Sequence, residues 1–234
     1  MKNLMKMALA AFAVVAAGMS ASAQITTDTL LARQKAHGHN ALWGQRASLF
    51  NKLGVDSTDI VMLGNSITHY NEWAELLDNP KVRNRGISGD VVQGIQDRLE
   101  SVVEGHPAKI FLMIGVNDVS HDLTADSIVE AQLALIDRIM RETPQTKLYM
   151  QSVLPINNSF GRYKKLKGKE QVVRDINIKL RPEVEKRGLQ WIELYSAMTD
   201  EEGNLRKDLT NDGLHLLPEA YEIWIEILRP YINE

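Results

Sequence analysis

Near the C-terminal end of the chain, Asp212-Gly213-Leu214-His215 sets a carboxylate three residues before an imidazole. Within one turn, such a carboxylate can accept from one ring nitrogen, fix the tautomer and stabilise the imidazolium. The other nitrogen is then free to take a proton. That pair needs a nucleophile, and Gly64-Asn65-Ser66-Ile67-Thr68 offers a hydroxyl. Serine is a poor nucleophile until a neutral imidazole accepts its proton. Two further blocks offer hydrogen-bond donors. Gly86-Ile87-Ser88-Gly89-Asp90 contains glycines, which let a backbone N–H approach a substrate closely. Gly115-Val116-Asn117-Asp118 contains an amide side chain, a neutral donor. Both suit an oxyanion hole, which must present donors where negative charge develops.

Each block alone has a plainer reading. A serine after a strand can cap a helix, Asp212 and His215 can be a surface turn, a glycine can serve a tight turn, and Asn117 can make an Asx-turn. Asp118 is read as structural. The case rests on the four blocks together.

The elements that position them follow from hydrophobic patterning. Apolar runs alternate with amphipathic stretches, the pattern of a parallel sheet covered by helices. Strands are expected at 59–63, 82–85, 110–114, 147–152 and 190–194. Helices are expected at 91–104, 125–141, 170–186 and 218–231, the last opened by Pro218. Residues 29–53 read as helical and outside the sheet, and because they contain Gly38 and Gly44 a break is expected there. The implied architecture is a three-layer α/β/α sandwich with a parallel, flavodoxin-like five-stranded sheet. Ser66, Gly89 and Asn117 then each fall just beyond the carboxyl end of a strand, where open α/β sheets bind ligands. His215 falls in the loop before the last helix.

In this order, the four blocks resemble the SGNH hydrolase superfamily, also called GDSL esterases/lipases, over roughly residues 58–232. The resemblance implies Ser66 as nucleophile, Asp212 and His215 as its triad partners, and an oxyanion hole from Ser66, Gly89 and Asn117. Asn84-Arg85-Gly86-Ile87-Ser88-Gly89-Asp90 and Leu214-His215-Leu216 also look like the catalytic subunits of platelet-activating-factor acetylhydrolase. Where the family usually has Asp before the nucleophile, this chain has Asn65. That position is a supporting hydrogen-bonding group in the family, so the change bears on local geometry and pH profile.

Composition bounds the rest. Lys2 and Lys6, an apolar run over residues 7–17 and Ala21-Ser22-Ala23 read as a signal peptide cut after Ala23. Removing 23 of 234 residues leaves 211, ample for one core. The expected layout is a signal peptide at 1–23, a helical extension at 24–57 and the hydrolase domain at 58–234. The destination is periplasmic or secreted, with no membrane insertion after cleavage. Cysteine is absent, which removes disulfides, Cys-based metal sites and Cys nucleophiles. A net charge of −3 argues against a nucleic-acid binder. His37 and His39 are two apart and would not share a helical face. No compact metal constellation, Walker A loop or Gly-x-Gly-x-x-Gly turn is apparent, so no metal and no cofactor are expected.

Two patches bear on substrate. His69, Tyr70 and Trp73 follow the nucleophile and read as core packing, with sugar stacking the alternative. Arg162, Lys164, Lys165, Lys167 and Lys169 follow the fourth strand. They read as a solvated loop, with a rim for anionic substrate the alternative. The function that emerges is an exported serine esterase acting on short acyl esters, O-acetyl groups on carbohydrates first among them. The other readings are a lysophospholipase or thioesterase, and a non-catalytic carbohydrate-binding protein. The expected partner is a small-molecule or glycan ester; oligomeric state is not legible.

Overall fold

The computed structural model describes residues 25–234; the expected signal peptide lies outside them. Two helices come first, α1 (Thr27–His37) and α2 (Ala41–Leu53). Thr26 and Asn40 cap them, their side-chain oxygens accepting from the N–H of Thr29 and Trp43, as short polar residues do at helix starts. Gly38 ends α1 in the left-handed region, at φ 68°. The expected break falls here. Gly44 lies inside α2, where a Cβ would meet the Gln34 amide at 2.1 Å and Leu31 at 3.1 Å. Its missing side chain lets the two helices approach rather than parting α2.

The chain continues through β1 (Ile60–Gly64), α3 (Ser66–His69), α4 (Trp73–Leu76), β2 (Val82–Gly86), α5 (Val92–Arg98), α6 (Glu100–Val103) and β3 (Lys109–Met113). It ends through α7 (Val116–Ser120), α8 (Ala125–Glu142), β4 (Lys147–Gln151), α9 (Glu170–Lys186), β5 (Gln190–Ile192) and α10 (Pro218–Asn233). The helix expected at 91–104 is two, α5 and α6, parted at Leu99. Ser101 Oγ donates to the Arg98 carbonyl at 2.7 Å, the local bond by which serine competes with a helix's own ladder.

All five strands are parallel, in the order β2-β1-β3-β4-β5. β1 and β3 are buried throughout and read as unbroken apolar runs, IVMLG and KIFLM after its lysine, because both faces are covered. The covering helices carry apolar stripes. α8 buries Ile128, Val129, Leu135, Ile136 and Ile139, and α5, α8 and α9 pack side by side. Trp73 of α4 meets Trp224 of α10 edge-on at 4.9 Å. Ile136 is fully buried, and its replacement by Ala should cost about 2–5 kcal/mol.

Register does the positioning. Gly64 pairs with Gly86 on one side and Met113 on the other, so β1, β2 and β3 end level at one sheet edge. A second apolar cluster, Ile25, Leu30, Trp43, Ala47, Phe50 and Ile87, joins the α1–α2 pair to the loop after β2. Among the described residues no helix is long and apolar enough to cross a membrane.

Candidate active site

Ser66 is the first residue of α3, two positions past β1. Asn65 caps that helix, its Oδ1 accepting from the Ile67 N–H at 3.0 Å. The Ser66 N–H is thereby one of the donors that a helix start leaves without a partner. His215 arrives from the loop before α10, and its Nε2 stands 2.9 Å from Ser66 Oγ. Its Nδ1 stands 2.8 Å from Asp212 Oδ2. The three predicted residues therefore form one continuous relay.

The loop that carries Asp212 and His215 is fixed by its own polar groups. Asp212 Oδ1 accepts from the backbone N–H of Leu214 at 2.9 Å and of His215 at 2.8 Å. One carboxylate oxygen thus shapes the turn while the other serves the ring. Gly213 sits at φ 86°, and a Cβ there would meet the Asn157 carbonyl at 2.1 Å. Any side chain at this position would push the loop away.

Gly89 lies in the turn after β2 at φ 82°. Asn117 lies in the first turn of α7, and its Nδ2 donates to the Asp90 carbonyl at 2.8 Å. An amide nitrogen carries two hydrogens, so this bond orients the group and leaves the second donor available. Ser66, Gly89, Asn117 and His215 line one cavity of about 410 Å³, together with Tyr163, Leu166 and Leu214.

A buried ion pair holds the donor turn in place. Arg98 is wholly buried, with its Nε 2.9 Å from Asp90 Oδ2. Its NH2 also donates to the carbonyls of Gly64 and Arg85, at 3.2 and 2.9 Å, where β1 and β2 end. Asp90 Oδ1 accepts from the Trp43 indole of α2 at 3.1 Å. Asn40 Nδ2 reaches the Ser88 carbonyl at 3.4 Å. The N-terminal helices therefore brace the turn that presents Gly89. Asp118, buried behind Asn117, accepts from the Val92 N–H at 3.2 Å; burial pushes its carboxyl up to about 7.

Tyr163 is the residue that sequence reasoning missed. Its hydroxyl donates to Asp212 Oδ2 at 2.8 Å and lies 3.0 Å from His215 Nδ1. The only signal was its place inside a run of cations, which was read for charge. Burial, then the bond to Asp212, raises the phenol to about 12, so it stays a donor. Burial alone would raise Asp212. The His215 ring, the His215 and Leu214 backbone and Tyr163 outweigh it and hold the carboxyl at about 2.

The two substrate patches divide. Trp73 is core, its indole donating to the Thr68 carbonyl at 2.8 Å. Tyr70 is exposed, its ring 5.0 Å from that of His215. Of the five cations, Arg162, Lys164 and Lys165 line the cavity. Lys169 is committed elsewhere, to the Val119 carbonyl at 2.8 Å and Asp122 at 2.6 Å. Among the described residues His37, His39 and Asp97 converge, a grouping that helical spacing did not suggest. Helical-face reasoning failed there because Gly38 ends the helix between the two histidines.

The profile of the GDSL-like lipase/acylhydrolase family matches residues 62–223. The chain is 30% identical over 122 residues to the platelet-activating factor acetylhydrolase IB subunit alpha1 of Rattus norvegicus, covering 48% of this chain and 52% of that one. It is 26% identical over 173 residues to the N-acylneuraminate cytidylyltransferase of Escherichia coli, covering 71% of this chain and 38% of that one. The chain thus spans about half or less of the length of these curated relatives. A GDSL-like lipase of Bacteroides thetaiotaomicron has a similar fold, with a TM-score of 0.72 at 22% identity over 82% of this chain and 97% of that one. The family match covers well over half of the chain and includes all four chemical blocks whole, so the chain belongs to the GDSL-like lipase/acylhydrolase family.

Proposed function

We propose that this protein is an exported serine esterase that removes short acyl groups, acetyl first among them, from carbohydrates bearing a carboxylate. The observation that carries the mechanism is the relay Ser66 Oγ–His215 Nε2 at 2.9 Å and His215 Nδ1–Asp212 Oδ2 at 2.8 Å. Ser66 attacks the ester carbonyl and His215 takes its proton. His215 then gives that proton to the departing alkoxide, which leaves as the alcohol. Water, deprotonated by the same ring, attacks the acyl-enzyme, and the proton returns to Ser66 as the acid leaves. Asp212 holds the tautomer, and Tyr163 holds Asp212. The N–H groups of Ser66 and Gly89 and the Asn117 amide stabilise the oxyanion.

Three features support the substrate class. The cavity is small, and its rim carries Arg162, Lys164 and Lys165, none of them in an ion pair among the described residues. Tyr70 offers an exposed ring beside His215, the kind of face on which a sugar can pack. The Escherichia coli relative is named for N-acylneuraminate, a carboxylate-bearing sugar. Export rests on the signal-peptide reading, which N-terminal sequencing of the mature protein checks at Gln24.

The test compares neutral and anionic acetyl esters, and acetyl against longer acyl chains, on wild type and on Arg162→Glu/Lys164→Glu/Lys165→Glu. The anionic ester alone should lose kcat/KM in the variant. High salt should shrink that gap, because an exposed field is screened over about 8–10 Å at physiological ionic strength. Equal loss on both esters would refute the anionic rim, and preference for long acyl chains would favour a lysophospholipase or thioesterase.

A further inference from the structure

The turn that ends α1 carries two histidines that ester hydrolysis does not use. Gly38, left-handed at φ 68°, reverses the chain, and the His39 N–H returns to the Gln34 carbonyl at 2.9 Å. Both rings thereby meet Asp97 of α5. His37 Nδ1 lies 2.5 Å, and His39 Nε2 2.7 Å, from the same oxygen, Oδ2. The three ligand atoms lie within 4.8 Å of one another, and no other His, Cys, Asp or Glu group among the described residues gathers three.

We propose that His37, His39 and Asp97 bind a divalent cation of the zinc type, which clamps the N-terminal helices to α5. Two imidazoles and one carboxylate are the donor set of many zinc sites, with water completing the tetrahedron. Zinc–ligand distances of about 2.0–2.2 Å put tetrahedral ligand atoms about 3.4 Å apart. The two N···O separations, 2.5 and 2.7 Å, therefore need to widen by less than about 1 Å each to admit the ion.

Its surroundings suit a cation better than a plain hydrogen-bonded cluster. Asp97 Oδ1 already accepts from Gln93 Nε2 at 2.9 Å, the outer bond that orients a metal-binding carboxylate. His39 is 7% exposed and stacked on Trp43 at 4.5 Å, so its ring is fixed. Arg33, which donates to the Asp97 carbonyl, is paired with Glu100 at 3.0 Å, which offsets part of its repulsion of an ion. His37 is 43% exposed, and a cavity of about 570 Å³ lined by Asp97, Gln93 and Arg33 opens beside the cluster. Ion and water have a way in.

The test titrates the full mature chain, first stripped with chelator, with Zn²⁺ alone, followed by calorimetry, native mass spectrometry and thermal melting. One ion per chain and a raised Tm are expected. His37→Ala and His37→Gln should each weaken binding at least tenfold, the low end of what even an outer partner costs. Gln keeps a hydrogen bond to Asp97 but no imidazole, so it separates ligation from the network. His37 is exposed, and neither variant should change ester hydrolysis. Failure of the wild type to hold an ion, or undiminished binding by His37→Ala, overturns the proposal.

Discussion

Two imidazole–carboxylate clusters stand among the described residues, and only one of them faces a serine hydroxyl. His215 and Asp212 are joined at 2.8 Å; His37 and His39 are joined to Asp97 at 2.5 and 2.7 Å. Both carboxylates are held below their ordinary range. For Asp97, burial pushes upward, but the bonds from His39, His37 and Gln93 outweigh it. What separates them is the second ring nitrogen. In His215 it meets a serine hydroxyl lining the cavity with the oxyanion donors. In the other cluster both rings spend a nitrogen on one oxygen, and no hydroxyl attends. A His–Asp pair is therefore a neutral component, and its third partner decides what it does.

The sharpest test of that contrast removes the third partner. Ser66→Ala should lower kcat/KM by about 10³-fold or more and abolish labelling by a fluorophosphonate, whereas His37→Ala should leave both intact. Retained labelling in Ser66→Ala would erase the distinction between the clusters.

Next in size is the donor that only the first cluster faces. Asn117→Ala should lower kcat by about 10²-fold with KM little changed, since the bond forms mainly in the transition state. A raised KM at unchanged kcat would make Asn117 a ground-state binder. Tyr163→Phe should follow. It removes one hydrogen bond to a charged group, worth about 1.5–3 kcal/mol, so kcat should fall by about tenfold to a hundredfold. Steady-state kinetics against a neutral ester isolates that effect from the cationic rim.

The smallest effect concerns stability and pH. A carboxyl held low in the folded state stabilises above its unfolded value, about 3.9, and that contribution is lost as pH falls through the folded value. Wild type should therefore melt above Asp97→Asn at pH 5 to 7, and the gap should close below about pH 4. Thermal melts across that range check it. A gap that widened on acidification would mean that Asp97 is not held as a carboxylate.

Most of the site was legible because its residues are set by local rules. Asp212 builds its own turn, Ser66 must follow a buried strand, and Asn117 must follow the next one inward, so motif and strand periodicity place all three. The sheet was legible for the same reason: β1 and β3 are apolar on both faces. Contacts between distant segments were not. Tyr163 is 49 residues from Asp212, and nothing local announces that a tyrosine in a cationic loop will fold over a carboxylate. His37 and His39 were misjudged through a helical period that stops between them. The 91–104 helix parts beside a serine hydroxyl bonded to the Arg98 carbonyl. Sequence patterning reads elements; it does not read which loops meet.

The triple hold on Asp90 separates loss of activity on heating from melting. The α1–α2 pair is anchored by a cluster of six residues, far smaller than the central core, and the least buried units open first. When it lifts, Trp43 and Asn40 release Asp90 and Ser88, and Arg98 alone is left to hold the turn whose Asp90 carbonyl orients the Asn117 amide, while Ser66 and His215 stay in contact. Heat inactivation should then precede the global transition by an interval set by how firmly those two helices are fastened, and a bound cation at their turn should shorten it.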